Sequence, residues 1–145
     1  TDNLLKAGNT LTQRCFCTNK NEVIVRMNIE GMVDGQKAGL CHYSKSYAMV
    51  GVRQSGKDRN LEFQTNKEKI TGPAIKGNKV WIKSVWGLDG KSQFSYSTDG
   101  RKFTPFGEVY QLEWGYYRGS RIGIYCFNNI ADAGYIDVDE FIYLY

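Results

Sequence analysis

The sequence predicts an all-β fold, an antiparallel sandwich of two sheets, and three features point to it. Apolar and polar residues alternate with a period of two along most of the 145 residues, and no stretch shows a convincing helical period. Glycine-containing turn pairs separate these runs at short intervals. Ten Tyr, seven Phe and three Trp enrich the chain in residues that favour strands. We therefore expect ten or more short strands in a single domain over residues 1–145.

Each predicted strand is read from its own alternating run. In chain order, the residues that share one face of each run are Val23, Val25, Met27 and Ile29; Ala48, Val50 and Val52; Val80, Ile82 and Ser84; Phe94 and Tyr96; and Ile122, Ile124 and Cys126. The last strand is predicted over residues 135–145. The pairs Asp89-Gly90 and Asp99-Gly100 predict hairpins whose two central residues both have positive φ.

Charge and hydropathy exclude two classes of partner. The net charge is +4, but Lys and Arg are scattered along the chain, which is typical of a solvated surface and not of a nucleic-acid patch. No apolar run is long enough to span a membrane. The chain begins without an initiator Met or a signal peptide, so we expect a mature protein or, preferably, an excised domain.

The four cysteines lie among strand-like apolar residues. The spacing of Cys15 and Cys17 predicts two thiols on one face of a strand, unlike a CxxC redox pair. We expect buried free thiols. A disulfide between Cys41 and Cys126 stays open for an exported protein.

Catalytic residues are sparse. His42 is the single histidine, and Cys41 beside it points to the opposite face of a strand, so a dyad would need Cys15, Cys17 or Cys126. We expect a structural or sugar-contacting histidine. No pair of carboxylates is placed as in a glycosidase, so the chain is not expected to hydrolyse glycans on its own.

Asp137 and Asp139 share one face of the last predicted strand. Carboxylates so placed repel each other unless they are solvated or bridged by a cation, and Ca²⁺ accepts such oxygens. The alternatives are a structural calcium site or two exposed carboxylates.

Large aromatic rings are concentrated in residues 114–127. Tyr125 and Phe127 lie opposite the apolar face of their strand, so they form either a second covered layer or a ligand platform. Sugars stack on such rings while polar side chains bind their hydroxyls. The predicted carbohydrate-binding residues are Trp114, Tyr116, Tyr117, Tyr125, Phe127 and His42.

Four segments occur in the order found in one known family. They are Gly8 to Arg14, Asp34 to Leu40, Phe94 to Gly100 and Gly134 to Phe141. With them, nearly the whole chain resembles the C-terminal concanavalin A-like domain of glycoside hydrolase family 43 β-xylosidases and arabinofuranosidases.

The resemblance implies a jelly-roll sandwich packed against an N-terminal catalytic five-bladed propeller of the same polypeptide. In relatives, one of two loop aromatics reaches the propeller's active site, and Tyr116 and Tyr117 match that pair. The segment from Asp139 to Tyr145 is also similar to the end of sandwich glucanases, which implies that Asp139 is a calcium ligand. A secreted or periplasmic location is expected.

We therefore predict a non-catalytic accessory domain, excised from the C-terminus of a xylan-degrading enzyme, that completes the substrate pocket and binds xylan or xylo-oligosaccharide. One alternative is an independent carbohydrate-binding module or lectin. Another is a laminin-G-like adhesion domain with a calcium-dependent protein partner.

Overall fold

The described residues form twelve β-strands. The computed structural model describes Leu4 and residues 10–113 and 119–145. The strands are β1 Thr10–Arg14, β2 Asn21–Asn28, β3 Gln36–Tyr43, β4 Tyr47–Ser55, β5 Asp58–Thr65, β6 Lys69–Ala74, β7 Lys79–Trp86, β8 Lys91–Ser97, β9 Thr104–Pro105, β10 Tyr110–Gln111, β11 Arg121–Asn128 and β12 Asp137–Leu144. Among these residues, no helix is long and apolar enough to cross a membrane.

The strands form two antiparallel sheets. The first has the order β1-β11-β3-β4-β5-β6, and the second has the order β10-β8-β7-β2-β12 with β9 beside β8. Hairpins join β3 to β4, β4 to β5 and β7 to β8, whereas β11 and β12 return to pair with strands from the first third of the chain. This arrangement confirms the predicted two-sheet antiparallel sandwich.

The main core lies between the sheets and follows the predicted alternation. In β2, every second residue is buried, and Val23, Val25 and Met27 have no accessible surface. Val80 and Ile82 of β7 pair with Met27 and Val25 across the second sheet, so these side chains share the inner face. Buried apolar surface of this kind supplies most of the stability of such a domain.

The middle of the first sheet is buried on both faces. Its outer face carries a second apolar layer, which consists of Leu4, Cys41, Tyr47, Met49, Tyr125 and Phe127 with Tyr43 at its margin. Strands β3, β4 and β11 therefore lack the clean alternation of β2. The sequence left two alternatives for Tyr125 and Phe127, a second covered layer or a ligand platform. The structure shows the covered layer.

The hairpin turns use glycine alone for positive φ. Gly90 and Gly100 have φ of 70° and 76°, and no described residue other than glycine has positive φ. The prediction that Asp89 and Asp99 also adopt positive φ is therefore wrong. The Asp99 carboxylate instead accepts hydrogen bonds from the Lys102 N–H and the Ser97 hydroxyl, which closes the turn by a side chain.

Candidate functional site

The loop predicted to contact sugar lies outside the described residues, because Trp114, Tyr116 and Tyr117 fall in the segment 114–118. Both flanks of that segment are described. The Glu113 N–H donates to Ser120 Oγ at 2.8 Å, and the Ser120 hydroxyl donates to the Glu113 carbonyl at 3.2 Å. A buried serine thus bonds the two flanks to each other.

The same serine ties these flanks to the segment before β2. Its carbonyl accepts a hydrogen bond from the Cys15 N–H at 3.0 Å. Ser120 is only 1% exposed, so these bonds are shielded from competing water. The next residue, Arg121, pairs with Arg14 and Tyr43, which places the flanks at the end of the sandwich where β3 ends.

An aromatic cluster occupies the same end, and the predicted site did not include it as a unit. We call Phe16, Trp86, Tyr143 and Tyr145 the terminal aromatic cluster. The Phe16 ring lies 5.1 Å from that of Tyr143 and 4.8 Å from that of Tyr145. The alternation of Tyr143 and Tyr145, which places both on one face, is the sequence signal that could have identified it.

Hydrogen bonds hold this cluster in place. The Phe16 N–H donates to Tyr143 Oη at 2.8 Å, and Trp86 Nε1 donates to the Phe16 carbonyl at 3.0 Å. Trp86 is buried, whereas Tyr145 is 78% exposed. The cluster therefore presents the solvent-exposed ring of Tyr145 beside the loop flanks, and its other rings are held in place by hydrogen bonds.

His42 lies in the core and has no accessible surface. Its Nε2 lies 2.7 Å from Ser84 Oγ, which in turn lies 2.7 Å from Ser92 Oγ. Burial lowers the pKa of His42 to about 3, so the ring is neutral. Because no part of the ring reaches the surface, the expectation of a sugar contact is not met, and the structural role fits the position.

The Cys15 thiol lies 3.5 Å from His42 Nδ1, which is close to the geometry of a catalytic dyad. Desolvation raises the pKa of Cys15 to about 12. A nucleophilic cysteine needs a lowered pKa and access to solvent. The pair is therefore a buried polar contact within the core.

The cysteines are free, as expected, but the predicted strand face shared by Cys15 and Cys17 and the predicted burial of Cys17 are wrong. Cys15 and Cys17 lie between β1 and β2 and not in a strand, and only Cys15 of the two is buried, so they do not share a strand face. All four thiols are free. Cys41 belongs to the outer layer and Cys126 packs against the main core, so the two sulfurs lie on opposite faces of the first sheet.

Tyr125 and Phe127 are 2% and 8% exposed in the outer layer. The Tyr125 hydroxyl lies over Gly39 and Gly51, where an added Cβ would approach it to 2.8 and 2.5 Å. As the surrounding residues cover both rings, these side chains form no open sugar platform. The correction follows from the second layer, which the alternation alone did not distinguish from a binding face.

A buried ion pair lies on the first sheet beside this layer. Lys37 Nζ is 2.9 Å from Glu62 Oε1, and their side chains are 3% and 7% exposed. Lys37 also donates to Gln64 Oε1 at 2.9 Å. The charge of the buried Glu62 carboxylate is thus balanced by a neighbouring cation.

Asp137 and Asp139 lie on the outer face of the second sheet. Asp137 pairs with Asn28, and a bulge at Asp139 interrupts the register of β12 with β2. Asp139 Oδ2 lies 3.0 Å from Lys79 Nζ and 3.4 Å from Arg26 Nε. The Lys79 hydrogen bond, together with both cationic charges, holds the pKa of Asp139 below its ordinary value.

Two protein cations already lie beside the Asp139 carboxylate, so calcium would compete with Lys79 and Arg26 for this ligand. Within the described ranges, no group of three or more His, Cys, Asp or Glu residues could hold a metal ion. Calcium binding through Asp137 and Asp139 stays a prediction, which a metal titration of the chain would test.

Comparison with known families gives a match over nearly the whole chain. A family model described as the β-xylosidase C-terminal concanavalin A-like domain matches residues 2–144. The chain is 32% identical over 142 residues to a β-xylosidase from Formosa agariphila, with 97% of the chain and 24% of the relative covered. A putative β-xylosidase from Xylanibacter ruminicola is 28% identical over 123 residues, with 84% and 22% covered. The chain thus spans about a quarter of the length of these curated relatives.

Solved structures share the fold. A bifunctional GH43-CE protein from Bacteroides eggerthii superposes with a TM-score of 0.89 at 24% identity, covering 99% of the chain and 20% of that protein. A GH43 glycoside hydrolase engineered to display endo-xylanase and exo-arabinofuranosidase activity gives 0.82 at 24% identity, with 93% and 30% covered. At this identity the likeness shows the concanavalin A-like sandwich.

The matched domain is the non-catalytic C-terminal part of family 43 glycoside hydrolases, whose catalytic domain is a separate N-terminal part. The predicted resemblance is therefore confirmed: the chain belongs to the β-xylosidase C-terminal concanavalin A-like domain family of the GH43 enzymes.

Proposed function

We propose that the chain completes the substrate pocket of the catalytic domain in its own polypeptide, through the loop that carries Tyr116 and Tyr117. The glycan in this pocket is xylan or a xylo-oligosaccharide, in keeping with the β-xylosidases that the chain resembles. The domain contributes binding and positioning, and the bond is cleaved by the catalytic domain.

The observation that carries the proposal is the hydrogen bonding of the loop flanks. Buried Ser120 bonds to Glu113 across the segment and to Cys15 beneath it. A segment that begins and ends at fixed points needs less ordering when it meets a ligand, so more of its binding energy is retained. The exposed ring of Tyr145 adds aromatic surface at the same end.

Replacing both loop tyrosines tests this function in the full-length enzyme. A stacking aromatic contributes about 1–3 kcal/mol, so Tyr116→Ala with Tyr117→Ala should lower kcat/KM on an aryl xyloside or xylobiose by about 5- to 150-fold. The matched control is Tyr135→Ala, because Tyr135 is also an exposed tyrosine (61%) but lies at the other end of the sandwich. Unchanged kcat/KM in the double variant would refute the proposal.

An independent carbohydrate-binding module is the second candidate, and the exposed terminal aromatic cluster favours it. Titration of the 145-residue chain with xylohexaose separates the two functions. Micromolar to millimolar affinity that is lost in Tyr145→Ala supports the module. No measurable binding, combined with the activity loss above, leaves pocket completion alone.

A further inference from the structure

A polar cleft lies at the end of the sandwich opposite the loop flanks. Its volume is about 560 Å³, within the usual range for small-ligand sites. It is lined by Lys57, Asp58, Arg59, Asn60, Ala74, Ile75, Lys76, Gly77 and Asn78. Strand β7 runs from Lys79 beside the cleft to Trp86 beside the flanks, a span of roughly 23 Å, so the two sites are separate.

The guanidinium of Arg59 is fixed at the cleft. Its Nε donates to Gln54 Oε1 at 2.9 Å, its Nη1 to Asn78 Oδ1 at 3.5 Å and its Nη2 to the Glu30 carbonyl at 3.3 Å. These bonds use three of its five N–H groups and leave two for a ligand. Because these three acceptors are neutral, they do not offset the positive charge of Arg59, which is available to attract an anion.

The residues that line the cleft carry more positive than negative charges. Three cations, Lys57, Arg59 and Lys76, face one lining carboxylate, Asp58, which gives a net charge of +2. Neither lysine ammonium has an ion-pair partner among the described residues. Lys57 and Lys76 lie on different connections, β4 to β5 and β6 to β7, so their charges approach the cleft from two sides.

We propose that this cleft binds a sugar carboxylate, namely a uronic acid unit carried on a xylo-oligosaccharide. A carboxylate has two acceptor oxygens that a guanidinium and a nearby ammonium bind together. Asn60 and Asn78 add amide groups suited to sugar hydroxyls. The identity of the glycan backbone rests on the proposed function, whereas the preference for a carboxylate rests on the charges of the cleft.

Two ligands of equal backbone length test the proposal on the 145-residue chain. Xylotetraose with one glucuronic acid branch is compared with unbranched xylotetraose by NMR titration at low salt. We expect the acidic ligand to bind at least about tenfold more tightly and to shift the amide signals of Gly56, Arg59, Gly77 and Asn78. Raising the salt to about 0.5 M should remove most of this preference, because the charges are close to the surface.

Charge removal gives the matched variants. Lys57→Gln with Lys76→Gln should weaken binding of the acidic ligand about tenfold and leave the neutral ligand unaffected. Lys67→Gln with Lys102→Gln is the control, since it removes the same net charge from exposed positions outside the cleft. Equal affinity for both ligands, an unchanged affinity in the first variant, or shifts confined to Glu113, Gly119 and Ser120 would overturn the cleft assignment. The kcat/KM test of Tyr116 and Tyr117 is independent of each of these outcomes.

Discussion

At the residue scale, the surroundings of His42 set its protonation. The ring is enclosed by Trp86, Phe94 and Tyr110, with ring centroids 5.1, 5.5 and 6.0 Å away, and its nitrogens meet Ser84 and Cys15. Neutral partners of this kind do not compensate a positive charge. The folded chain therefore excludes the proton that the unfolded chain accepts near pH 6.5.

This exclusion predicts a pH-dependent stability. Because the pKa of His42 falls to about 3 on folding, the unfolded state binds more protons between pH 3 and 6.5, so stability rises with pH in that window. The free energy of unfolding should be about 2 kcal/mol lower at pH 5 than at pH 7 through this group. Urea titrations at both values measure it.

His42→Gln isolates the contribution, because the chain has no other histidine and its carboxylates are the same in both proteins. The variant should lose less stability than the parent between pH 7 and pH 5. If the two profiles are parallel, the folded ring is not excluded from protonation and the prediction is wrong.

Sequence reasoning could place His42 only in part. Adjacency along a strand correctly put Cys41 on the opposite face, since alternation is local. Cys15 was one of three cysteines that could meet His42, and the sequence could not choose among them, because Cys15 and His42 are 27 positions apart and Cys15 lies outside any strand. Contacts between irregular segments and strands depend on tertiary packing, which has no short-range pattern.

At the scale of elements, the last strand, β12, is bonded both to β2 and to the segment that precedes β2. Tyr143 pairs with Val23 and accepts the Phe16 N–H, so one residue joins the ladder, the main core and that segment. Desolvation raises the pKa of Tyr143 to about 12, so the phenol is neutral under ordinary conditions.

We predict that removing the Tyr143 hydroxyl causes a small loss of folding stability. Tyr143→Phe leaves the Phe16 N–H without its acceptor and should lower the free energy of unfolding by about 1 kcal/mol. Tyr145→Phe is the matched control, since Tyr145 is 78% exposed and should change stability little. Chemical denaturation of the three proteins makes the comparison, and equal losses in both variants would contradict the assigned bond.

The elements themselves were largely predictable where one face is solvated. The alternation of β2 and β7 identified their inner residues because one periodicity governs a half-buried strand. The middle strands of the first sheet were less informative. With both faces of β3, β4 and β11 largely covered, alternation no longer separates a covered layer from a binding surface, so the sequence leaves both alternatives open for Tyr125 and Phe127 of β11.

At the scale of the whole molecule, the two sheets are closed by strands that are distant in sequence. Strand β11 pairs with β1 and β3, and β12 pairs with β2. Neither sheet can form from one half of the chain, and both share the main core.

The chain should therefore unfold as one unit. Far-UV circular dichroism, which reports both sheets, and tryptophan fluorescence, to which buried Trp86 contributes, should give coincident urea transitions. Two separate midpoints would instead indicate sheets of independent stability. Because the cysteines are free, the addition of reductant should not shift the transition.

Fold and site differ in how much the sequence could establish. The family resemblance followed from motifs spread over the chain. The prediction of a sandwich survives an error in one strand, because many other strands indicate the same fold. The site depends on a few side chains, of which Trp114, Tyr116 and Tyr117 lie outside the described residues. The polar cleft carries no motif, because its cations come from two connections that only the fold brings together.

The free thiols have a practical consequence. Cys15 and Cys41 are buried, and Cys126 is half-buried with its sulfur accepting a hydrogen bond from Gln36 Nε2. Cys17 is exposed. A maleimide dye should therefore attach to Cys17 with selectivity and without mutagenesis. As Cys17 follows Phe16, which contacts Tyr145, the dye would sit beside the terminal aromatic cluster. The native sequence thus carries its own attachment point for an optical reporter of ligand or domain docking at that end.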